Sequence, residues 1–262
     1  NYLQDCKIII NFAVVYSRFS MEHLSKSQIK WVRSLQQKKH RDEENVFVAE
    51  GEKCINDLRN SFELVLLATH ENATPTEIEQ MSSLRSPQGM IGVFKRKLTD
   101  SMDFISERKL LVALDGVQDP GNLGTIIRTC DWFGIHHIIC SRETADCYNP
   151  KVVQATMGAL ARVNIHYVDN LAETLKLIHQ HNYPIYGTLL DGKNIYAVGS
   201  IESRDKGVIV MGNEGNGISA NVRMQITHSL FIPSYENVCS ESLNVGIATA
   251  IVLAEFRRNI NL

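Results

Sequence analysis

Cysteine is sparse and unpatterned. Cys6, Cys54, Cys130, Cys140, Cys147 and Cys239 include no Cys-x-x-Cys pair, which excludes a zinc-ribbon spacing and a dense disulfide framework. Six reduced, mostly structural thiols in a cytoplasmic protein are expected. Long apolar runs are also missing: residues 8–16 are interrupted by Asn11 and fall far short of the roughly 20 residues of a membrane span. That run could imitate a signal-peptide core, but no small-residue cleavage site follows it. The chain does not begin with Met, and Met21 is the expected start, with residues 1–20 as an extension. Charge of one sign is absent too. The 27 Lys+Arg against 29 Asp+Glu leave a formal net charge of -2, which excludes a protein that coats nucleic acid through a large positive field. The nine histidines include His136-His137 and His179-x-His181, but no carboxylate or Cys joins them at ligand spacing, so no metal is expected.

What is present is ordinary globular material, 44% hydrophobic and 21% charged, over 262 residues. That length predicts two domains. Residues 27–41 read as one amphipathic helix, with Ile29, Val32 and Leu35 at three-residue steps. It is basic: Lys26, Lys30, Arg33, Lys38, Lys39 and Arg41 are six cations without an intervening acid. An extended run at 46–49, a helix at 51–59, a strand at 64–68, a helix at 75–84 and a strand at 90–94 complete a small α/β unit, 21–98. Residues 99–108 read as the linker. From 109 onwards, strands at 110–114, 138–140, 163–168, 185–190, 208–211 and 230–232 are interleaved with helices. Those begin near Asn122 and span 150–160, 171–180 and 242–258. Such alternation predicts a mainly parallel sheet covered by helices, with ligands held in loops at the carboxyl ends of the strands.

Three of those loops carry candidate chemistry. The first, Asp115-Gly116-Val117-Gln118-Asp119-Pro120-Gly121-Asn122-Leu123-Gly124, leads into a helix that Asn122 could cap and that carries Arg128. The second, Met211-Gly212-Asn213-Glu214-Gly215-Asn216-Gly217-Ile218-Ser219, lets the backbone approach a flat or bulky ligand and holds a lone acid. Its Gly-x-x-Gly-x-Gly order is not the dinucleotide fingerprint. The third combines Ile232-Pro233-Ser234 with Ser242-Leu243-Asn244, ahead of a helix rich in small residues that suits either a core or a subunit interface. The stretch Gly187-Thr188-Leu189-Leu190-Asp191-Gly192-Lys193-Asn194 imitates a phosphate loop. Asn194 stands where Ser or Thr would hold magnesium, and Leu189-Leu190 continue a strand.

In this order the three loops resemble the three motifs of the SpoU (TrmH-type) family of SPOUT-class RNA ribose 2′-O-methyltransferases. The front half, Ser25 through Arg41 with Phe47-Val48-Ala49-Glu50-Gly51-Glu52-Lys53, is similar to the substrate-binding domain that precedes this catalytic domain. The resemblance implies an α/β SPOUT domain with a deep trefoil knot at 109–262, preceded by an L30e-like α/β domain that recruits RNA. It also implies a homodimer joined through the knotted region and S-adenosylmethionine as cofactor. By matching positions it puts Gly212, Ile232 and Leu243 against that cofactor, with Thr188 and Leu189 beside them. It gives Arg128 the activating role, with Asn122, Glu214, Ser242 and Asn244 nearby. A guanidinium does not readily lose its proton, so Arg128 could instead grip an RNA phosphate and position the hydroxyl. The third motif departs from the family, since no glycine follows Pro233, and no cofactor contact is expected from 234–241.

The expectation is therefore a cytoplasmic S-adenosylmethionine-dependent enzyme that methylates a ribose 2′-hydroxyl in ribosomal or transfer RNA, without membrane or metal. Three rivals stay open: a knotted base methyltransferase, a non-catalytic RNA-binding or ribosome-assembly factor on the same fold, and a nucleotide hydrolase using Gly187 to Lys193.

Overall fold

The structure, a computed structural model, describes residues 22–97, 105, 109–197, 199, 201, 203–235 and 242–258. The extension 1–20, Cys6, most of the 99–108 linker, residues 236–241 and Cys239 lie outside the described residues. The chain divides into two compact units, one ending at Arg96 and the other starting at Lys97.

In the first unit, β1 (Val46–Glu50), β2 (Leu64–Ala68) and β3 (Ile91–Lys95) form an antiparallel sheet in the order β1-β3-β2. Helices α1 (Lys26–Ser34), α2 (Lys38–Glu44), α3 (Glu52–Leu58) and α4 (Pro75–Met81) accompany it. Two of these helices begin on reciprocal caps: Ser25 with Gln28 at α1, and Thr74 with Glu77 at α4. Ile29, Val32 and Leu35 pack with Val46, Val48, Ile78 and Ile91 in one core.

The single basic helix expected at 27–41 is two helices. Leu35 is fully buried and ends α1, Gln37 takes an extended backbone, and the chain restarts as α2. Arg41 fastens this corner. Its side chain is buried, with Nη1 donating to the carbonyls of Leu35 at 3.0 Å and Gln36 at 2.8 Å. A guanidinium committed to those carbonyls cannot also face a phosphate, which corrects the expectation that Arg41 binds RNA. Lys26, Lys30, Arg33, Lys38 and Lys39 are exposed.

The second unit is built on six strands: β4 (Leu110–Asp115), β5 (His137–Ser141), β6 (Asn164–Val168), β7 (Ile185–Asn194), β8 (Gly207–Gly212) and β9 (His228–Phe231). Their order is β6-β5-β4-β8-β7-β9, and every pairing is parallel. The central strands β4 and β8 are almost wholly buried, as near-continuous runs of apolar residues require. Around the sheet lie α5 (Pro120–Trp132), α6 (Pro150–Thr156), α7 (Leu171–Gln180), α8 (Ala220–Arg223) and α9 (Val245–Arg257). Strand β7 runs past the expected residue 190 to Asn194, through an irregularity between Thr188 and Lys193 where it pairs with β9. The phosphate-loop imitation is thus strand rather than an amide cradle. The expected helix at 150–160 ends at Thr156, because Met157 and Gly158 both adopt left-handed backbone before a short 3-10 turn.

Close backbone approach ties the helices together. A Cβ on Gly124 would come within 2.4 Å of the Ala155 Cβ, so α5 meets α6 through a glycine. Gly246 faces Thr125 in the same way and joins α9 to α5, and Arg257 Nε donates to the Phe133 carbonyl at 3.0 Å. No described helix is long and apolar enough to cross a membrane.

Candidate active site

The loops after β4 and β8 meet at the carboxyl ends of neighbouring parallel strands, whose register sets Asp115 beside Gly212. The Asp115 carboxylate accepts from the Ser219 amide at 2.7 Å, and Asn213 Nδ2 donates to the Gly116 carbonyl at 2.7 Å. The Asn213 Oδ1 in turn accepts from the Gly215 and Asn216 amides at 2.9 and 3.0 Å. One asparagine therefore shapes the glycine loop and fastens it to the first loop. Gly212 is obligatory there: a Cβ would stand 2.3 Å from the Gly217 carbonyl carbon and 2.5 Å from the Ile218 nitrogen.

Helix α5 starts at Pro120 rather than near Asn122, because Asp119 is its cap and accepts from the Asn122 amide at 2.8 Å. This releases the Asn122 side chain for longer reach. Its Nδ2 donates to Glu214 Oε1 at 3.0 Å, and its Oδ1 accepts from Asn244 Nδ2 at 2.8 Å. Asn244 is itself the cap of α9, its Oδ1 accepting from the Gly246 and Ile247 amides, so that helix begins three residues after the expected Ser242. Glu214–Asn122–Asn244 is a continuous polar chain with one member from each of the three loops.

The remaining candidates surround it in different degrees. Ser242 and Leu243 are exposed just before Asn244, with Leu243 50% accessible. Ile232, Thr188 and Leu189 are half-buried, and Thr188 Oγ1 donates to the Val210 carbonyl at 3.3 Å. Arg128 is exposed on α5, with no hydrogen bond or ion pair among the described residues. Thr188 and Leu189 thus lie within β7, Gly212 ends β8, Ile232 follows β9, and Ser242 and Leu243 precede α9, while Arg128 stands a little over two turns into α5.

Reading the sequence misses Asp115, Asp119 and Asn213, which hold the others. An Asp ending a strand, an Asp before Pro, and an Asn two before a glycine are the signals that could have found them. The other candidate chemistries lead elsewhere. Cys54, Cys130, Cys140 and Cys147 are buried, and burial followed by the neighbouring Cys147 and Cys130 pushes the Cys140 thiol far above its ordinary value, which makes it inert. His137 and His166 bond each other at 3.0 Å, and His179 meets the Tyr183 carbonyl at 2.9 Å. Among the described residues no group of three or more His, Cys, Asp or Glu is arranged to hold a metal ion.

The donor set suits a molecule with both apolar and polar parts. Leu243, Ile232 and Leu189 leave apolar surface accessible, and Gly212 leaves the second loop's backbone without a side chain in the way, a combination that fits a nucleoside base laid against amides and aliphatic side chains. The adjoining Glu214–Asn122–Asn244 chain offers fixed hydrogen-bonding groups where a substrate hydroxyl could be oriented.

Residues 109–254 match the SpoU rRNA Methylase family, and residues 26–90 match the MRM3-like substrate binding domain. The chain belongs to the SpoU rRNA methylase family. A Bacillus subtilis relative of this SpoU methylase, the 23S rRNA (guanosine(2553)-2′-O)-methyltransferase RlmP, is 30% identical over 263 residues, covering 90% of this chain and 98% of its own. A solved Porphyromonas gingivalis structure assigned to the TrmH family of RNA methyltransferases is 37% identical. It has a TM-score of 0.81 and covers 90% of this chain and 99% of its own. An AdoMet-bound rRNA methyltransferase from Sinorhizobium meliloti is 29% identical, with a TM-score of 0.79 over 92% of this chain and 98% of its own. The resemblance read from the three loops is borne out, as is the expectation of an RNA-methylating enzyme that uses S-adenosylmethionine.

Proposed function

We propose that this SpoU methylase transfers a methyl group from S-adenosylmethionine to the ribose 2′-hydroxyl of a nucleotide in large-subunit ribosomal RNA, with guanosine as the first nucleoside to test. The nucleoside is taken from the activity named for the Bacillus relative. The observation that carries the reading is the Glu214–Asn122–Asn244 chain, which joins all three loops through bonds of 3.0 and 2.8 Å. S-adenosylmethionine supplies an electrophilic methyl when bound, and Gly212, Ile232, Leu243, Thr188 and Leu189 are the residues assigned to hold it. A ribose hydroxyl is a weak nucleophile near neutral pH, so the protein's share is alignment and help with its proton. Arg128 grips the phosphate beside the target ribose, and Asn122, Glu214, Ser242 and Asn244 set the hydroxyl.

The first unit is the RNA-recruiting domain, L30e-like in fold, with Lys26, Lys30, Arg33, Lys38 and Lys39 as its phosphate contacts. The second is a SPOUT domain whose C-terminal segment is threaded into a trefoil knot. The return of the chain from edge strand β9 to helix α9, which packs on α5, supports that topology. A homodimer in the cytoplasm completes the proposal.

The test is incubation with methyl-labelled S-adenosylmethionine and unmodified 23S ribosomal RNA transcript, followed by alkaline hydrolysis. Label in alkali-resistant dinucleotides is expected, and Arg128→Ala is expected to retain cofactor binding while losing at least about 100-fold in turnover. Label confined to bases, or bound cofactor without transfer to any RNA, would sink the ribose reading.

A further inference from the structure

The first loop is gripped from a side that the three motifs do not include. Strand β5 ends at Ser141, and the turn after it, Arg142-Glu143-Thr144-Ala145, lies against the root of the loop after β4. Ser141 Oγ accepts from the Gly116 amide at 3.0 Å, and Thr144 Oγ1 donates to the Leu114 carbonyl at 3.2 Å. The two hydroxyl oxygens stand 3.4 Å apart, the longest link of the three. Next to them the Ala145 amide donates to the Val117 carbonyl at 2.9 Å. Thr156 and Thr249, also buried, donate back within their own helices to Val153 and Val245, whereas Ser141 and Thr144 bond 25 and 30 positions away.

A hydroxyl has one proton to give. Thr144 gives its own to Leu114, so the proton between the two side chains belongs to Ser141. One orientation then satisfies every member: Gly116 N–H to Ser141, Ser141 O–H to Thr144, Thr144 O–H to Leu114. Both residues are only 5% exposed, so water does not replace a partner that is lost. The Leu114 carbonyl belongs to the peptide before Asp115 and the Gly116 amide to the peptide after it, so this series of bonds fixes Asp115 from both sides. Gly116 itself is held in the left-handed region, at φ +73°. Asp115 and Gly116 are the residues that meet the second loop, through the Ser219 amide and through Asn213 Nδ2, each at 2.7 Å.

We infer that Ser141 and Thr144 are positioning residues for S-adenosylmethionine: they fix the direction in which Asp115 and Gly116 hold the loop 212–219, and make the turn after β5 a fourth, supporting part of the cofactor site. This rests on the proposed assignment of Gly212 to the cofactor and extends that site to a loop outside the three motifs. Neither hydroxyl touches the cofactor. Each acts through the peptides of Asp115, so its removal loosens the glycine loop and leaves the groups that face RNA in place.

The test uses the full-length protein: S-adenosylmethionine affinity by calorimetry, turnover and binding with 23S ribosomal RNA transcript, and thermal melts that fix a temperature at which every variant is folded. Thr144→Val keeps the shape and removes only the hydroxyl. It is expected to weaken S-adenosylmethionine binding by about tenfold and raise its KM in step, with kcat at saturating cofactor and RNA affinity within about twofold of the parent. Thr144→Ser keeps the hydroxyl and is expected to restore most of the loss. Ser141→Ala should match Thr144→Val, and the double variant should be little worse than either, because one break interrupts the series. Losses that multiply in the double variant, a fall in kcat with KM unchanged, or an equal loss in Thr144→Ser overturns the positioning role. Cofactor binding intact in Thr144→Val but lost in Gly212→Ala overturns it alone, and binding intact in both overturns it together with the assignment of Gly212. A parent protein that binds S-adenosylmethionine yet methylates no RNA would instead count against the proposed function, since the order of cofactor affinities is read without turnover.

Discussion

The two units use the same polar devices over different distances. In the first unit the helix caps and the Arg41 corner close locally: Ser25 with Gln28 and Thr74 with Glu77 three residues apart, and Arg41 with carbonyls five and six residues behind it; its longer bonds, from Ser82 and Ser83 to Glu50 and from Arg96 to Asp42, tie elements to one another. In the second unit one cap is also a cross-link. Asn244 caps α9 with its oxygen and reaches across 122 positions with its nitrogen, and Asn122, itself held by the cap Asp119, reaches Glu214 across 92. A cap that closes locally shapes its own helix, whereas a cap shared between loops assembles a site. Substitutions in the first unit should therefore register as stability or RNA affinity, and substitutions in the second as cofactor binding or turnover.

The largest effect should come from the glycine loop. Gly212→Ala forces a Cβ against backbone of Gly217 and Ile218, which cannot move aside as a flexible side chain would. Overpacking of this kind costs about 1–3 kcal/mol, and the displaced loop should lose S-adenosylmethionine binding measured by calorimetry while circular dichroism still reports a folded chain. Near-normal cofactor affinity would show that the loop tolerates what its geometry forbids.

Next in size is a contrast within the basic segment. Arg41→Met removes buried bonds of a charged group and should destabilise the protein by about 1.5–3 kcal/mol in urea melts. Lys30→Ala with Arg33→Ala should leave stability within about 0.5 kcal/mol, lower RNA affinity, and reduce the slope of log affinity against log salt by about 0.7 for each phosphate no longer neutralised. Equal salt slopes for Arg41→Met and the double variant would erase the distinction between a structural and a binding cation.

This contrast also marks what can be read before a structure. The periodicity of Ile29, Val32 and Leu35 finds the buried face, but a run of cations looks the same whether each faces water or, like Arg41, turns back on carbonyls. Chain punctuation at Asp119-Pro120 announces the start of α5, yet Asn122 reads as its cap, because a cap and a reaching side chain use the same amino acids. The parallel sheet follows from alternation of strands and helices. The strand order β6-β5-β4-β8-β7-β9 does not, since it depends on pairings far apart in the chain. The three loops can be named as candidates, but neither their meeting through Asn122 nor the roles of Asp115 and Asn213 in holding them is visible in spacing.

The smallest effect should be at the local cap of α4. The Thr74 amide, then the Thr74 hydroxyl, hold the Glu77 carboxyl below its ordinary value, while desolvation opposes them and His23 adds the weakest attraction. A depressed folded value means the stabilisation is complete above the unfolded carboxyl value and fades as pH falls through the folded one. Thr74→Ala should cost about 1 kcal/mol at neutral pH. It should also make the melting temperature fall less steeply on acidification, which thermal melts between neutral and acidic pH would reveal.

The most direct test of the shared polar chain is the single-turnover rate of methyl transfer in Asn122→Ala, measured alongside S-adenosylmethionine affinity and thermal stability. Loss of both bonds, to Glu214 and to Asn244, should lower the rate by about 100-fold or more while stability and cofactor affinity change little. A rate within a few-fold of the parent would contradict the claim that this chain is what makes three loops into one site.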